Sequence, residues 1–149
     1  MPGLPDVEGL PLVSVHAQMT TIVVTAAVIE RDGRVLVTRR LKGTHLEGYW
    51  EFPGGKCDSG ETLEESLLRE LREELAVEAT VGEKLVTISH TYPERRVELH
   101  FFSVVLANEP VPQLGQEMQW IPREELASLK LPPADDELVA LLTQHKGSR

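Results

Sequence analysis

Cysteine is nearly absent from this chain of 149 residues: Cys57 stands alone, so no internal disulfide can form. That fits a reducing compartment, and the expectation is a cytoplasmic protein. No apolar run approaches the length needed to cross a bilayer, and no secretory apolar region stands at the start, so no membrane partner is expected. Positive charge is also short. Lys and Arg number 15 against 24 Asp and Glu, a formal net charge of −9. Duplex nucleic acid demands basic patches, so it is not expected as a partner. A small phosphorylated ligand is not excluded, because divalent cations can sit between phosphate and an acidic site. The five histidines show no paired metal spacing; His100 lies in an apolar strand and reads as packed.

What is present is ordinary globular material. Hydrophobic residues make up 41% and charged residues 26%, and the length suits one domain with a real core. Residues 1–18 carry three prolines and two glycines without a clear period, and read as a flexible N-terminal extension. Residues 19–149 read as a single domain without internal repeats.

"TTIVVTAAVIE" (20–30) is β-branched and reads as a buried strand. A hairpin turn on Asp32-Gly33 returns it as "VLVTRR" (35–40). "YWEFPGG" (49–55) is a short extended segment closed by Pro and two Gly. Glu61–Val77 is the first helix, with Leu63, Leu67, Leu68, Leu71 and Leu75 on its apolar face and Ser59 as candidate N-cap. Residues 78–92 and 96–107 read as strands around "PER", and 118–122 as a short strand. A short helix over 123–129 and a proline-started helix over 132–146, with Leu138, Leu141 and Leu142 inward, complete the chain. Hairpins combined with a helical crossover predict an α/β (α+β) domain: a mixed sheet with helices on it.

One stretch of that first helix is electrostatically awkward. In "RELREEL" (69–75), Glu70, Glu73 and Glu74 fall within an arc of about 100° at helical pitch. Like charges so spaced repel. A glutamate cluster by itself is usually a solvated acidic face, and a lone Gly-Gly such as Gly54-Gly55 is usually a plain turn. Together they suggest oxygen donors for a hard cation, Mg²⁺ or Mn²⁺, beside a backbone that can approach closely.

The combined spacing is more specific. Gly55 is followed after five residues by Glu61, and seven residues later by "RELREE" (69–74). "GKCDSGETLEESLLRELREELAV" resembles the Nudix box, G-x5-E-x7-R-E-U-x-E-E-x-G-U with U a bulky aliphatic, at eight of nine specified positions. Ala76 replaces the Gly that ordinarily closes the helix. "VTRR" (37–40), "EFPGGK" (51–56), "YPERR" (92–96), Trp120 and "PPADDE" (132–137) follow the order of the MutT-like branch. The resemblance implies the Nudix fold, a mixed β-sheet sandwiched between helices. It also implies hydrolysis of nucleoside triphosphates to monophosphate and pyrophosphate, on oxidised precursors such as 8-oxo-dGTP or on CTP and cytosine analogues. Such a protein is expected as a monomer or homodimer.

By the same resemblance, Glu70, Glu73 and Glu74 hold divalent metal, helped by the Gly54 carbonyl. Glu73 or Glu74 could serve as general base. Glu61 and Arg69 hold the loop against the helix; a surface charge pair is the plainer alternative. Gly55 and Lys56 could meet phosphate, though an exposed loop lysine is ordinary. Where relatives often carry an acidic residue six positions before the Trp, this chain has Leu114; Glu117 is the nearest carboxylate and a possible extra ligand. Arg39, Phe52 and Arg95 match positions around the base, with Phe52 equally readable as a core aromatic. Asp135 matches a base-reading position and is equally readable as a carboxylate at a helix start. An ionised Asp only accepts hydrogen bonds, which tilts the reading towards the amino group of cytosine. The competing readings are a Nudix domain that binds a nucleotide or protein without turnover, and a hydrolase of other nucleoside diphosphate derivatives.

Overall fold

Strand β1 (Thr20–Arg31) supplies both layers of the core, because alternate residues of a strand point to opposite faces. The computed structural model describes residues 20–144. The expected extension at 1–18 and the end of the last helix, 145–146, lie outside the described residues. Ala26 and Val28 face one apolar cluster, while Ala27 and Ile29 face the other. β2 (Arg34–Arg39) repeats the division, with Val35 and Val37 on one side and Leu36 on the other. The turn between them is the expected one: Asp32 and Gly33 both have positive φ, 54° and 77°, as a two-residue hairpin loop demands.

The segment 49–55 is not one extended piece but two short strands, β3 (Trp50–Glu51) and β4 (Gly54–Lys56). They part because β3 pairs with β2 while β4 crosses to pair antiparallel with β1. The Pro53 carbonyl between them accepts the Ala27 N–H at 2.8 Å. β5 (Ala79–Thr91) and β6 (Arg95–Leu106) form a long antiparallel pair, and β6 runs parallel to β1 from Thr20↔Arg95 to Ile29↔Val104. β7 (Met118–Pro122) adds to β2. The result is a mixed sheet between helical layers.

Helix α1 (Leu63–Leu75) covers one face with Leu67, Leu71 and Leu75, all fully buried. Each such leucine contributes about 1.5–3 kcal/mol of burial. The helix starts two residues later than expected, and its N-cap is Thr62 rather than Ser59. Thr62 and Glu65 form a capping box, each side chain meeting the other's backbone N–H at 3.0 Å. Glu61 therefore stays in the loop. The other face is covered by a 3₁₀ segment over Arg123–Ser128, where a short helix was expected, and by α2 (Asp136–Gln144), entered through a 3₁₀ turn at Pro133–Asp135. Leu138 and Leu142 are buried as expected; Val139, rather than the half-buried Leu141, flanks them. His100 is packed in β6, as expected.

Ala76 closes α1 in the left-handed conformation, φ 56° and ψ 40°, donating its N–H to the Arg72 carbonyl at 3.0 Å. The cap that glycine makes easily is thus kept by a residue with a Cβ, at a cost of about 1 kcal/mol. Ala76→Gly is expected to raise the unfolding free energy by about 0.5–1 kcal/mol in urea titration, with an unchanged slope.

Candidate active site

The site lies where β4 passes under α1. Gly54 and Gly55 pair with Ala26 and Thr25 of β1, which brings the strand hard against the helix. A Cβ on Gly54 would lie 2.0 Å from the Thr25 carbonyl oxygen, and one on Gly55 would lie 2.5 Å from the Glu70 carboxyl carbon. Gly54, with φ 153°, is therefore closed to larger residues, while a side chain at Gly55 would displace the Glu70 carboxylate. The Gly54 N–H reaches Glu74 Oε1 at 3.3 Å. Burial pushes the Glu74 carboxyl well above its usual range, and the nearby Glu70 and Glu51 push it further. Glu70 is raised too, chiefly by burial, against the lowering pull of Arg69. Two adjoining carboxylates in a half-buried cradle, both disfavoured as anions, present an all-oxygen donor set that suits a hard divalent cation.

Arg69 organises the acidic corner. Its Nε donates to Glu61 Oε2 at 2.6 Å and its Nη2 to Glu61 Oε1 at 3.0 Å, a forked pair. Nη1 reaches Glu70 at 3.2 Å and Glu73 at 3.3 Å, and Nη2 also meets the Lys56 carbonyl at 3.1 Å. The Arg69 hydrogen bonds and the Asp58 N–H hold the Glu61 carboxyl below its usual range. The expected pairing of Glu61 with Arg69 is thus formed. The three helical glutamates, however, do not converge equally. Glu70 and Glu74 point inward together, whereas the Glu73 side chain is 60% exposed and turned to Arg69. Among the described residues, no three His, Cys, Asp or Glu side chains form a ready-made metal cluster.

Beside Glu74 opens a cleft of about 200 Å³, lined by Thr38, Arg39, Arg40, Glu51, Leu114 and Gln116 among others. Arg39 donates to Glu117 at 2.7 Å and lies 5.5 Å from the Trp50 ring centre. Glu117 is engaged in that exposed ion pair. Arg40 donates to Glu51 at 2.9 Å. Sequence reasoning passed over Glu51, Arg40 and Gln116. The available signal for Glu51 was its place beside Trp50 in a strand, which sends the two side chains to opposite faces.

The remaining candidates are scattered. Phe52 is a core aromatic, 5% exposed and packed edge-to-face on Phe101 with ring centres 5.9 Å apart. Lys56 is exposed, and its carbonyl rather than its ammonium is used here. Arg95 lies at the exposed start of β6 opposite Thr20, and does not line the cleft. Asp135 is buried, and its carboxyl is raised from 3.8 to about 7 by burial and by the charges of Glu51 and Asp136. The expectation from the sequence is an ionised, acceptor-only Asp135; burial favours its protonated form, which can also donate.

This shift has a sign. The unfolded Asp135 titrates near 4, so between about pH 4 and 7 folding takes up a proton, and stability falls as pH rises. Asp135→Asn is expected to be more stable than the parent at pH 8, by about 1–3 kcal/mol, with the gap closing towards pH 4. Urea unfolding across that pH range measures it.

The comparisons agree with this geometry. A family model described as the NUDIX domain matches residues 24–141. A CTP pyrophosphohydrolase of Escherichia coli is 36% identical over 137 residues, covering 88% of this chain and 98% of that one. An 8-oxo-dGTP diphosphatase of Haemophilus influenzae is 36% identical over 120 residues, covering 79% and 88%. The solution structure of the E. coli ORF135 protein superposes with a TM-score of 0.80 at 36% identity, covering 89% of this chain and 96% of that one. A family match over most of the chain, a motif whose glycines and glutamates meet in space and a sheet between two helical layers make this chain a member of the Nudix hydrolase family, an enzyme of the pyrophosphohydrolase kind.

Proposed function

We propose that the protein hydrolyses nucleoside triphosphates to monophosphate and pyrophosphate with Mg²⁺ or Mn²⁺, with cytosine nucleotides as the preferred class, and so clears unwanted members of the nucleotide pool. The observation that carries this reading is the inward pair Glu70 and Glu74 against Gly54-Gly55, opening onto a cleft with Arg39 and Arg40. Glu70 and Glu74 would hold the cation, with Glu73 joining from the outer side once Arg69 releases it. When bound, the cation offsets phosphate charge and polarises a water for attack on phosphorus. Arg69 keeps the carboxylates oriented and the Lys56 loop closed. Arg39 and Arg40 line the cleft and would meet phosphate once they exchange their present partners, Glu117 and Glu51, for it.

Base choice is assigned to Asp135, which is buried near Glu51 and is not among the residues lining the cleft. A protonated carboxyl can donate to the ring N3 of cytosine and accept from its amino group as a pair. The E. coli CTP pyrophosphohydrolase supports this class. The H. influenzae relative supports 8-oxo-dGTP as the second reading, and a neutral carboxyl also suits a guanine edge.

Three outcomes are expected. Glu74→Gln should lower kcat for CTP by about 10²–10⁴ while circular dichroism stays unchanged; near-full turnover would remove the mechanism. Mg²⁺ at 100 times its dissociation constant should stabilise the protein by about 2.7 kcal/mol, a gain lost in the Glu70→Gln, Glu74→Gln double variant. Asp135→Asn should reorder kcat/KM across CTP, dCTP, 5-methyl-dCTP and 8-oxo-dGTP by about tenfold or more; an unchanged ranking would dismiss the base-reading role.

A further inference from the structure

The C-terminal end of α1 cannot satisfy its own last carbonyls, and another segment does so. The loop between β6 and β7 supplies the donors. The Val111 N–H meets the Leu75 carbonyl at 2.8 Å, and the Gln113 N–H meets the Glu74 carbonyl at 2.9 Å. Asn108 Nδ2 meets the Ala76 carbonyl at 3.1 Å. The Glu74 carbonyl takes a second bond, from Gln116 Nε2 at 3.1 Å. Gln116 is 9% exposed, and its Oε1 accepts the Leu114 N–H at 2.8 Å. Only one orientation of the carboxamide satisfies both contacts, since the other would face N–H to N–H and oxygen to oxygen.

The next residue continues the tie. The Glu117 carbonyl accepts the Arg39 N–H at 3.0 Å, and the Glu117 carboxylate accepts from Arg39 Nη1 at 2.7 Å. A stretch of five residues, 113–117, therefore joins the backbone of Glu74 to Arg39 on the opposite wall of the cleft. Gly115, φ 77°, makes the turn that lets Gln116 reach back.

We propose that Gln116 is a positioning residue for the metal site: its carboxamide fixes the Glu74 backbone, and with it the Glu74 carboxylate, relative to the Arg39 wall. The proposal rests on the reading of Glu74 as a metal ligand. Gln116 touches no reacting atom in this arrangement. Its effect passes through the Glu74 carbonyl and the Leu114 turn. Groups that hold metal ligands in place in this way commonly change metal affinity or activity by 10–100-fold when removed.

The test compares Gln116→Met, which keeps the side-chain length and loses both bonds, with Gln116→Glu, which keeps the acceptor for Leu114 and loses the donor to Glu74. Mn²⁺ binding is measured by calorimetry without nucleotide, CTP turnover as kcat and KM, and Tm without metal. Both variants are expected to bind Mn²⁺ about tenfold more weakly and to lose about tenfold in kcat. In Gln116→Met, KM stays within about twofold and metal-free Tm nearly unchanged, whereas Gln116→Glu, which adds negative charge to the cleft lining, also raises KM. An added carboxylate attracts Mn²⁺ but also repels the Glu74 carbonyl it faces, so the uncharged Gln116→Met shows whether loss of the tie alone weakens binding. Should Gln116→Met fail to fold, Gln116→Glu decides the matter. Mn²⁺ affinity and kcat within about twofold of the parent in Gln116→Glu would overturn the proposal, as would a parent protein that binds no Mn²⁺. A parent that binds Mn²⁺ but does not hydrolyse CTP would remove the functional reading instead, and the Mn²⁺ comparison would still decide the role of Gln116.

Discussion

A single guanidinium, Arg69, holds together the corner where β4 meets α1. Glu61, Glu70 and Glu73 all reach it, and it also takes the Lys56 carbonyl. Without that cation, several carboxylates would share a half-buried space, and the cost of desolvating them would open the loop. A forked contact to Glu61 and single contacts to the others let one side chain order a loop and a helix at once. Lysine, a point charge without the planar fork, could not reproduce this.

The corner works only because the sheet beneath it is rigid. β1 is buried on both faces, paired to β6 along nearly its whole length and to β4 across Val24–Ala26. Gly54 and Gly55 then bring backbone, rather than side chain, to the floor of the site. The close approach and the acidic charge are two parts of one arrangement. A wider gap would hydrate Glu70 and Glu74 and relieve the burial that raises their carboxyls.

Much of this was legible along the chain. The β-branched run in 20–30, the Asp32-Gly33 turn and the leucine stripe of α1 are local patterns, and each matched the folded element. The spacing from Gly55 to Glu74 also carried the Glu61–Arg69 pairing. Other assignments failed for identifiable reasons. Ser59 lost the N-cap to Thr62 because Glu65 could complete a reciprocal pair only with Thr62. Ala76 kept a left-handed cap although its own preference opposes it, because the chain must turn there into β5. By pitch alone Glu73 groups with Glu70 and Glu74; its side chain lies on the exposed side, where Arg69 donates to it. Phe52, equally readable as a base contact or as core, packs in the core against Phe101.

By itself the sequence determined the features that depend on neighbours along the chain: strands and helices by their apolar period, the hairpin by its turn residues, the acidic helix face by its pitch. Only the tertiary structure decided which carboxylates share a low-dielectric space, because that depends on strands and loops distant in the chain. The Asp135 carboxyl is raised first by burial and then by Glu51, distant in the chain, and its neighbour Asp136. The tie from Gln116 to the end of α1 likewise has no signal in either segment, since an unpaired helix carbonyl and a loop amide meet only after the sheet has brought them together.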